Sequence, residues 1–349
     1  MSLFKQKRIC CVSDIHIGVH QNSSMWHNIC LDWARWLGKQ LKNKGIKDIL
    51  ISGDFFHYRD EISVNTIHVA SQVMDLWSDF NIVVLVGNHD AYYKERSDVN
   101  SLSLFKNSSN ITVIDTVETI QQYNKTITFA PWATPVNKIP ASDILFGHFE
   151  INSFRMAVGK VCDSGMQVES LLDKSPLIIS GHFHLRDERE YEKGKVLYLG
   201  NPFQMDFGDR EATKGYYILD IESQNYEFYH NNISPEHKKI RLSELVKHDG
   251  ITNEVKKLFN KNIVRLIFDK NISPDEVDIL LKVLISLGSL MMTVDYENTF
   301  NSLNFEGDTP GDLSGVDIVT AIKEFVDMLD IDDKQTITKQ TIDIYNQCK

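Results

Sequence analysis

Ile82-Val83-Val84-Leu85-Val86 is a run of five aliphatic, mostly β-branched residues that ends abruptly in Gly87-Asn88-His89-Asp90. Such a run suits a central strand covered on both faces, and Gly87 lets the backbone turn where the run stops. The same grammar recurs along the chain. Arg8 to Val12 is a short strand delivering Asp14-Ile15-His16, and Ile49 to Ser52 is a second, ending in Gly53-Asp54-Phe55-Phe56-His57. Between them Trp26, Ile29, Cys30, Trp33, Leu37 and Leu41 recur at helical spacing with Gly45 as the stop, and Val64 to Trp77 predicts a second helix. Strand, loop, helix, strand argues for an α/β layered fold with a largely parallel core.

The middle of the chain turns strand-rich. Ile111 to Ile114, Thr126 to Ala130, Ile144 to Phe146, Leu177 to Ser180, Val196 to Leu199 and Tyr216 to Ile221 are short, largely apolar and separated by polar or Gly/Pro turns. Two of them end in histidines, Gly147-His148 and Gly181-His182-Phe183-His184. After about Tyr229 the pattern changes. Ile240 to Leu245, a helix near Asn253 to Phe259, a strand Ile263 to Phe268, a helix Pro274 to Leu287 and a strand Leu290 to Val294 make a small α/β cap domain. Glu306 to Asp312 is a linker by composition. Beyond it Ile318, Val319, Ile322, Phe325, Val326 and Leu329 form one amphipathic stripe, and a second helix carries Ile337, Ile342 and Tyr345, with Asp330-Ile331-Asp332-Asp333 supplying caps between them. The expected organisation is therefore residues 1–230, 236–300 and 301–349.

At 349 residues the chain exceeds the usual single-domain size, and 42% hydrophobic with 24% charged residues is a globular composition. No apolar run reaches transmembrane length. Nothing near the N-terminus reads as a secretory signal. The five cysteines (Cys10, Cys11, Cys30, Cys162, Cys348) are odd in number and lack metal-finger spacing, and Cys10 and Cys11 should point to opposite sides of their strand. A reducing, cytoplasmic compartment fits best. The net charge of −11 is unevenly spread. From Glu236 to Lys270 nine bases face five acids, a net of +4, and from Asn301 to Lys349 ten acids face four bases, a net of −6. Lys238, Lys239, Arg241, Lys256, Lys257 and Lys261 could contact phosphates, or simply be a solvated face.

Six of the twelve histidines (His16, His57, His89, His148, His182, His184) lie just beyond strand ends, together with Asp14, Asp54 and Asn88. Any one of them could be a satisfied polar group in a loop. Five separate strand ends presenting oxygen or imidazole are hard to explain without metal, because open α/β sheets bind ligands beyond their strands' carboxyl ends. Carboxylate, amide and imidazole donors without thiolate point to Mn, Fe or Zn over Mg or Ca. The set is too large for one ion. Two ions about 4 Å apart sharing a carboxylate form a clamp for in-line phosphoryl displacement.

In this order, Asp-x-His, Gly-Asp, Gly-Asn-His-Asp, Gly-His and Gly-His-x-His resemble the calcineurin-like metallophosphoesterase superfamily. That resemblance implies a layered sandwich of two sheets flanked by helices. It also implies that Asp14, His16 and His184 bind a first divalent ion, that Asn88, His148 and His182 bind a second, that Asp54 bridges them, and that His89 protonates the leaving oxygen. Phosphoprotein phosphatases of the superfamily usually carry Gly-Asp-x-His-Gly and Gly-Asn-His-Glu, whereas this chain has Ser13 before Asp14, Ile17 after His16 and Asp90 after His89. Finer features resemble the SbcCD-type DNA repair nuclease subunits. His57 matches a histidine often found in that group, in a catalytic role or one of orienting a ligand. Tyr198-Leu199-Gly200-Asn201-Pro202, Phe207-Gly208-Asp209 and Lys214-Gly215-Tyr216 are similar to the segment closing the nuclease domain there. Gly147 to Asn152 and the compact length look most like the recombination endonuclease subunits of T4-like phages, which would act in the host cytoplasm.

The likeness implies a DNA exonuclease and endonuclease using two divalent ions, Mn²⁺ first with Mg²⁺, Fe or Zn as alternatives, in recombination and double-strand-break repair. Its expected partners are DNA, a coiled-coil ABC ATPase of the SbcC type docked on the tail, and a second copy of the chain meeting near Val64 to Trp77 with Tyr92 and Tyr93. The alternatives are a stand-alone phosphodiesterase or phosphatase acting on small nucleotide or lipid-linked diesters, which needs neither cap nor tail, and a scaffold subunit that keeps only the fold.

Overall fold

Alternating burial along two sets of strands builds the central layers. In the computed structural model, which describes residues 2–248, 250–270, 272, 274–297, 319, 323, 326 and 333–347, strands β1 (Arg8–Val12), β2 (Asp48–Ile51), β3 (Asn81–Leu85) and β4 (Ile111–Ile114) run parallel in one sheet. A second sheet holds β5 (Glu118–Gln122), β6 (Lys125–Ala130), β7 (Ile144–His148), β10 (Leu177–Gly181), β11 (Asp187–Tyr191) and β12 (Gly194–Tyr198), in the order β11-β12-β10-β7-β6-β5. Its four inner strands are parallel and its edges antiparallel. A small hairpin of β8 (Arg155–Ala157) and β9 (Lys160–Val161) lies between β7 and β10 in sequence. Antiparallel β13 (Gly215–Asp220) and β14 (Tyr226–His230) complete the first sheet on the open side of β1.

Successive side chains of a strand face opposite ways, and each face here has its own partner. Ile9 and Cys11 of β1 join Leu50, Val83, Leu85, Phe129, Phe146 and Ile179 in the core between the sheets. Cys10 and Val12 join Ile49, Ile51 and Val84 against helices α1 (Ser24–Asn43) and α2 (Val64–Leu76). Cys10 and Cys11 thus sit in different cores, as their adjacency requires. The helical stripe Trp26, Ile29, Cys30, Trp33, Leu37 and Leu41 is buried throughout, and α2 begins where the Ser63 hydroxyl accepts the Thr66 N–H.

Beyond β14 a parallel sheet of β15 (His237–Arg241), β16 (Ile263–Phe268) and β17 (Met291–Tyr296) packs with α3 (Asn253–Phe259) and α4 (Pro274–Ile285) around Ile240, Val255, Phe259, Val264, Leu266, Phe268 and Leu284. The stretch expected as one element over Ile240 to Leu245 is the end of β15 followed by a single helical turn. Residues Met1–Glu297 form one unit and Asn298–Lys349 a second. In the second, α5 (Lys334–Gln347) has its first turn capped by Asp333, whose carboxylate accepts the Thr336 N–H. Val319, Lys323 and Val326 are helical. The rest of the stripe over residues 316–329 and the linker at 306–312 lie outside the described residues.

Candidate metal centre

The carboxyl ends of β1, β2, β3, β7 and β10 meet at one place. Beyond β1 and β2 the two chains stay zipped: Asp14 N–H donates to Gly53 O, His16 N–H to Asp54 O, Ile17 N–H to Phe55 O and His57 N–H to Ile17 O. Register does the same across the second sheet, where His148 pairs with Gly181 and so sets His148 beside His182. All nine residues singled out from the sequence (Asp14, His16, Asp54, His57, Asn88, His89, His148, His182, His184) are brought into this cluster. Four of them, Asp14 (φ 56°), His16 (φ 50°), Asp54 (φ 54°) and His182 (φ 91°), hold left-handed backbone. Aspartate and histidine tolerate that region better than most, yet each such residue costs about 1–3 kcal/mol and persists only where its surroundings over-determine it.

Two groups of donor atoms emerge. Those of Asp14, His16 and His184 lie within 4.8 Å of one another, as do those of Asp54, His148 and His182. Asn88 Oδ1 joins the second group, 2.9 Å from His148 Nε2 and 2.8 Å from His182 Nδ1. Asp54 Oδ2 stands between the groups, 3.6 Å from His16 Nε2 and 3.3 Å from His148 Nε2. The other oxygen, Oδ1, accepts the His89 N–H at 2.8 Å. Gly87 makes this approach possible, since a Cβ there would fall 2.2 Å from that oxygen.

The donor set fits cations. His148 Nδ1 donates to Ser52 O at 2.7 Å, so in the neutral ring Nε2 is a lone pair aimed at the oxygens of Asn88 and Asp54. Nε2 of His16 faces Nε2 of His184 at 3.0 Å beside the carboxylates of Asp14 and Asp54. Acceptors converging on acceptors in a buried site call for positive charge. Without metal, a proton takes that role on His148: burial would lower its imidazole, but Asp54 beside it raises it to about 9. Burial pushes His16 well below its ordinary value and His182 to about 3, leaving both rings neutral with lone pairs free to bind.

His89 and His57 stand over the first group. The ring of His89 lies 4.7 Å from that of His16 and stacks on His57 at 5.3 Å. His89 Nδ1 donates to the His57 carbonyl, so Nε2 is the atom left to hold or release a proton. His57 Nδ1 lies 3.3 Å from His16 Nδ1. Burial, with His89 next in weight, lowers His57 to about 4, so its ring is a neutral acceptor suited to fixing His16 with Nε2 turned inward.

Two further contributors lie outside that set of nine. Asp90 is fully buried and accepts N–H bonds from Phe55 (3.3 Å), Phe56 (2.9 Å) and Gly87 (3.0 Å), tying the β2 and β3 loops together. Burial and the charge of Asp54 raise it to about 6. Trp132, just past β6, packs its ring 5.2 Å from His182 and 6.2 Å from His148, and its position after an apolar strand end is the signal that could have found it.

Residues 7–284 match the sequence profile of the calcineurin-like phosphoesterase family. The chain is 28% identical over 236 residues to exonuclease subunit 1 of Enterobacteria phage T4, an overlap of 64% of this chain and 68% of that one. Among solved structures, an archaeal phosphodiesterase matches with a TM-score of 0.36 and 15% identity, over 64% of this chain and 99% of its own.

Proposed function

Since the chain belongs to the calcineurin-like phosphoesterase family, we propose that it is a metal-dependent DNA nuclease. Its substrate is the phosphodiester backbone, and its active centre is the cluster at the strand ends. The observation that carries this reading is the convergence of two donor groups on Asp54. Asp14, His16 and His184 would hold one divalent ion, Asn88, His148 and His182 the other, with Asp54 shared. When bound, such ions neutralise the charge of the phosphodiester and stabilise its attacking and leaving oxygens. The chain does the rest. Asp54 and Asp14 supply the negative charge that keeps two cations together, the Ser52 carbonyl fixes the His148 tautomer, and His57 holds the His16 ring. His89, its Nδ1 anchored on a carbonyl, gives the Nε2 proton to the departing oxygen. Mixed nitrogen and oxygen donors favour Mn²⁺ over Mg²⁺.

DNA as substrate is supported by the likeness to exonuclease subunit 1 of phage T4. That name also supports a partner subunit, which we take to be a coiled-coil ABC ATPase bound by residues 301–349, in a recombination and repair role in the host cytoplasm. The same reading separates a nuclease domain (1–230) from a cap (236–300) with its own apolar core. Val64, Ile67, Tyr92 and Tyr93 are exposed apolar side chains on the face suggested for a homodimer. Among the described residues no helix is long and apolar enough to cross a membrane.

The test is cleavage of linear duplex DNA with Mn²⁺ and with Mg²⁺, beside a chromogenic diester and a panel of nucleotides. Mn²⁺-supported degradation of DNA is expected. Hydrolysis of nucleotides with DNA left intact would overturn the substrate assignment, and no metal-dependent hydrolysis at all would overturn the enzyme.

A further inference from the structure

Behind the first donor group lies a buried ion pair that the chemistry above does not use. Lys214 and Asp209 are 5% and 4% exposed, and Asn201 beside them 1%. Lys214 Nζ donates to Asp209 Oδ1 at 2.7 Å, to Asn201 Oδ1, and to the backbone carbonyl of His184 at 2.8 Å, so every ammonium proton is spent. The same carbonyl accepts the Asn201 N–H at 3.2 Å. Asp209 Oδ2 accepts the Asn201 side-chain amide and the Met205 N–H, both at 3.0 Å. The Met205 carbonyl in turn accepts His20 Nε2 at 2.7 Å. His20, Gln21 and Asn22 are three consecutive left-handed residues (φ 54°, 57° and 59°), in the turn that leads on from His16. Gly200 lets the backbones close, because a Cβ there would stand 2.9 Å from the His184 carbonyl.

A buried ion pair is a poor source of stability, since loss of hydration offsets its attraction and an apolar pair of similar volume often serves the fold as well. What this pair does is directional. Asp209 and Asn201 aim the third ammonium proton at His184, and through Met205 the same carboxylate reaches the turn after His16. Both ends of the network are segments presenting ligands of the first ion. Among the described residues none of its hydrogen bonds reaches Asn88, His148 or His182, the ligands of the second. We infer that Lys214, Asp209 and Asn201 form a positioning network selective for one of the two metal sites, holding the His184 and His16 segments at the spacing the first ion needs. This rests on the two-ion reading of the cluster.

The full chain is titrated with Mn²⁺ alone, without DNA, by calorimetry and by EPR of the exchange-coupled pair. Lys214→Met leaves the Asp209 charge buried, so the decisive variant is Lys214→Met/Asp209→Asn, which keeps a neutral side chain able to accept from Met205. Two ions should bind the wild type. In the folded double variant one ion should bind as before and the other about 10–100-fold more weakly, the usual loss when the partner of a ligand is removed. The coupled EPR signal should vanish at Mn²⁺ levels that saturate the wild type. Unchanged binding of both ions, equal weakening of both, or failure of the double variant to fold would each overturn the inference. A wild type that binds fewer than two ions would instead remove the reading beneath it.

Discussion

The strand-end cluster and the cap are built from the same elements and spend them differently. In both, parallel strands with helical crossovers bury aliphatic side chains. In the cap the strand ends carry nothing unusual: among described residues from 236 to 297, Lys261 is the one non-glycine with left-handed backbone. Two of its six noted cations are taken up by acids, Lys238 by Glu236 and Arg241 by Glu297 and Asp269. β17, its edge strand, is largely exposed. At the cluster, by contrast, four left-handed residues, buried carboxylates and rings with committed tautomers concentrate within a few residues of five strand ends. The cluster thus concentrates left-handed backbone and buried charge that must be held by its surroundings, whereas the described cap residues show one non-glycine left-handed position, Lys261.

That contrast can be broken most sharply at Asp54. Asp54→Asn keeps the shape and removes the shared charge, so hydrolysis of every substrate should fall by more than the ~10–100-fold that loss of an outer partner costs, while the chain stays folded by circular dichroism. Substantial activity with both ions bound would sink the shared-carboxylate reading. Next comes His89. His89→Gln should slow cleavage by about 10²–10⁴ when the leaving group is an alkoxide, and far less for a nitrophenolate; equal losses on both would assign it to holding the loop.

Proton linkage gives a smaller, graded effect. In the metal-free chain His148 titrates at about 9, above its unfolded value of about 6.5. The stabilisation from its contact with Asp54 is therefore fully present below about pH 6.5 and is lost as pH rises through about 9. Mn²⁺ must displace that proton. Affinity should rise from pH 6.5 toward 9 with proton release, seen by calorimetry in buffers of different ionisation enthalpy, and a flat profile would contradict the pairing. The smallest effect belongs to the cap. Lys239→Gln/Lys256→Gln/Lys257→Gln should raise KM for DNA a few-fold and flatten its salt dependence, leaving kcat on a chromogenic diester unchanged; an unchanged KM would make this a merely solvated face.

Much of the cluster was legible because a buried parallel strand reads as an aliphatic run, and the residues just past such a run stand at the sheet's carboxyl edge. His148 and His182 needed nothing more. The two edge strands of the second sheet were not legible. β11 reads Asp187-Glu188-Arg189-Glu190-Tyr191 and β5 is half exposed, so neither shows the apolar alternation that marks a strand. Nor was Asp90, whose role lies in backbone N–H groups of Phe55 and Phe56 that only the fold brings near. Lys214 stands 30 residues from His184, and no local pattern signals that its ammonium meets that carbonyl.

The central claim is that two ions sit side by side with Asp54 between them, and anomalous diffraction from crystals grown with Mn²⁺ measures it directly. Two peaks are expected, one among Asp14, His16 and His184, the other among Asn88, His148 and His182, both contacting Asp54. A single peak, or peaks that do not share Asp54, would contradict the account.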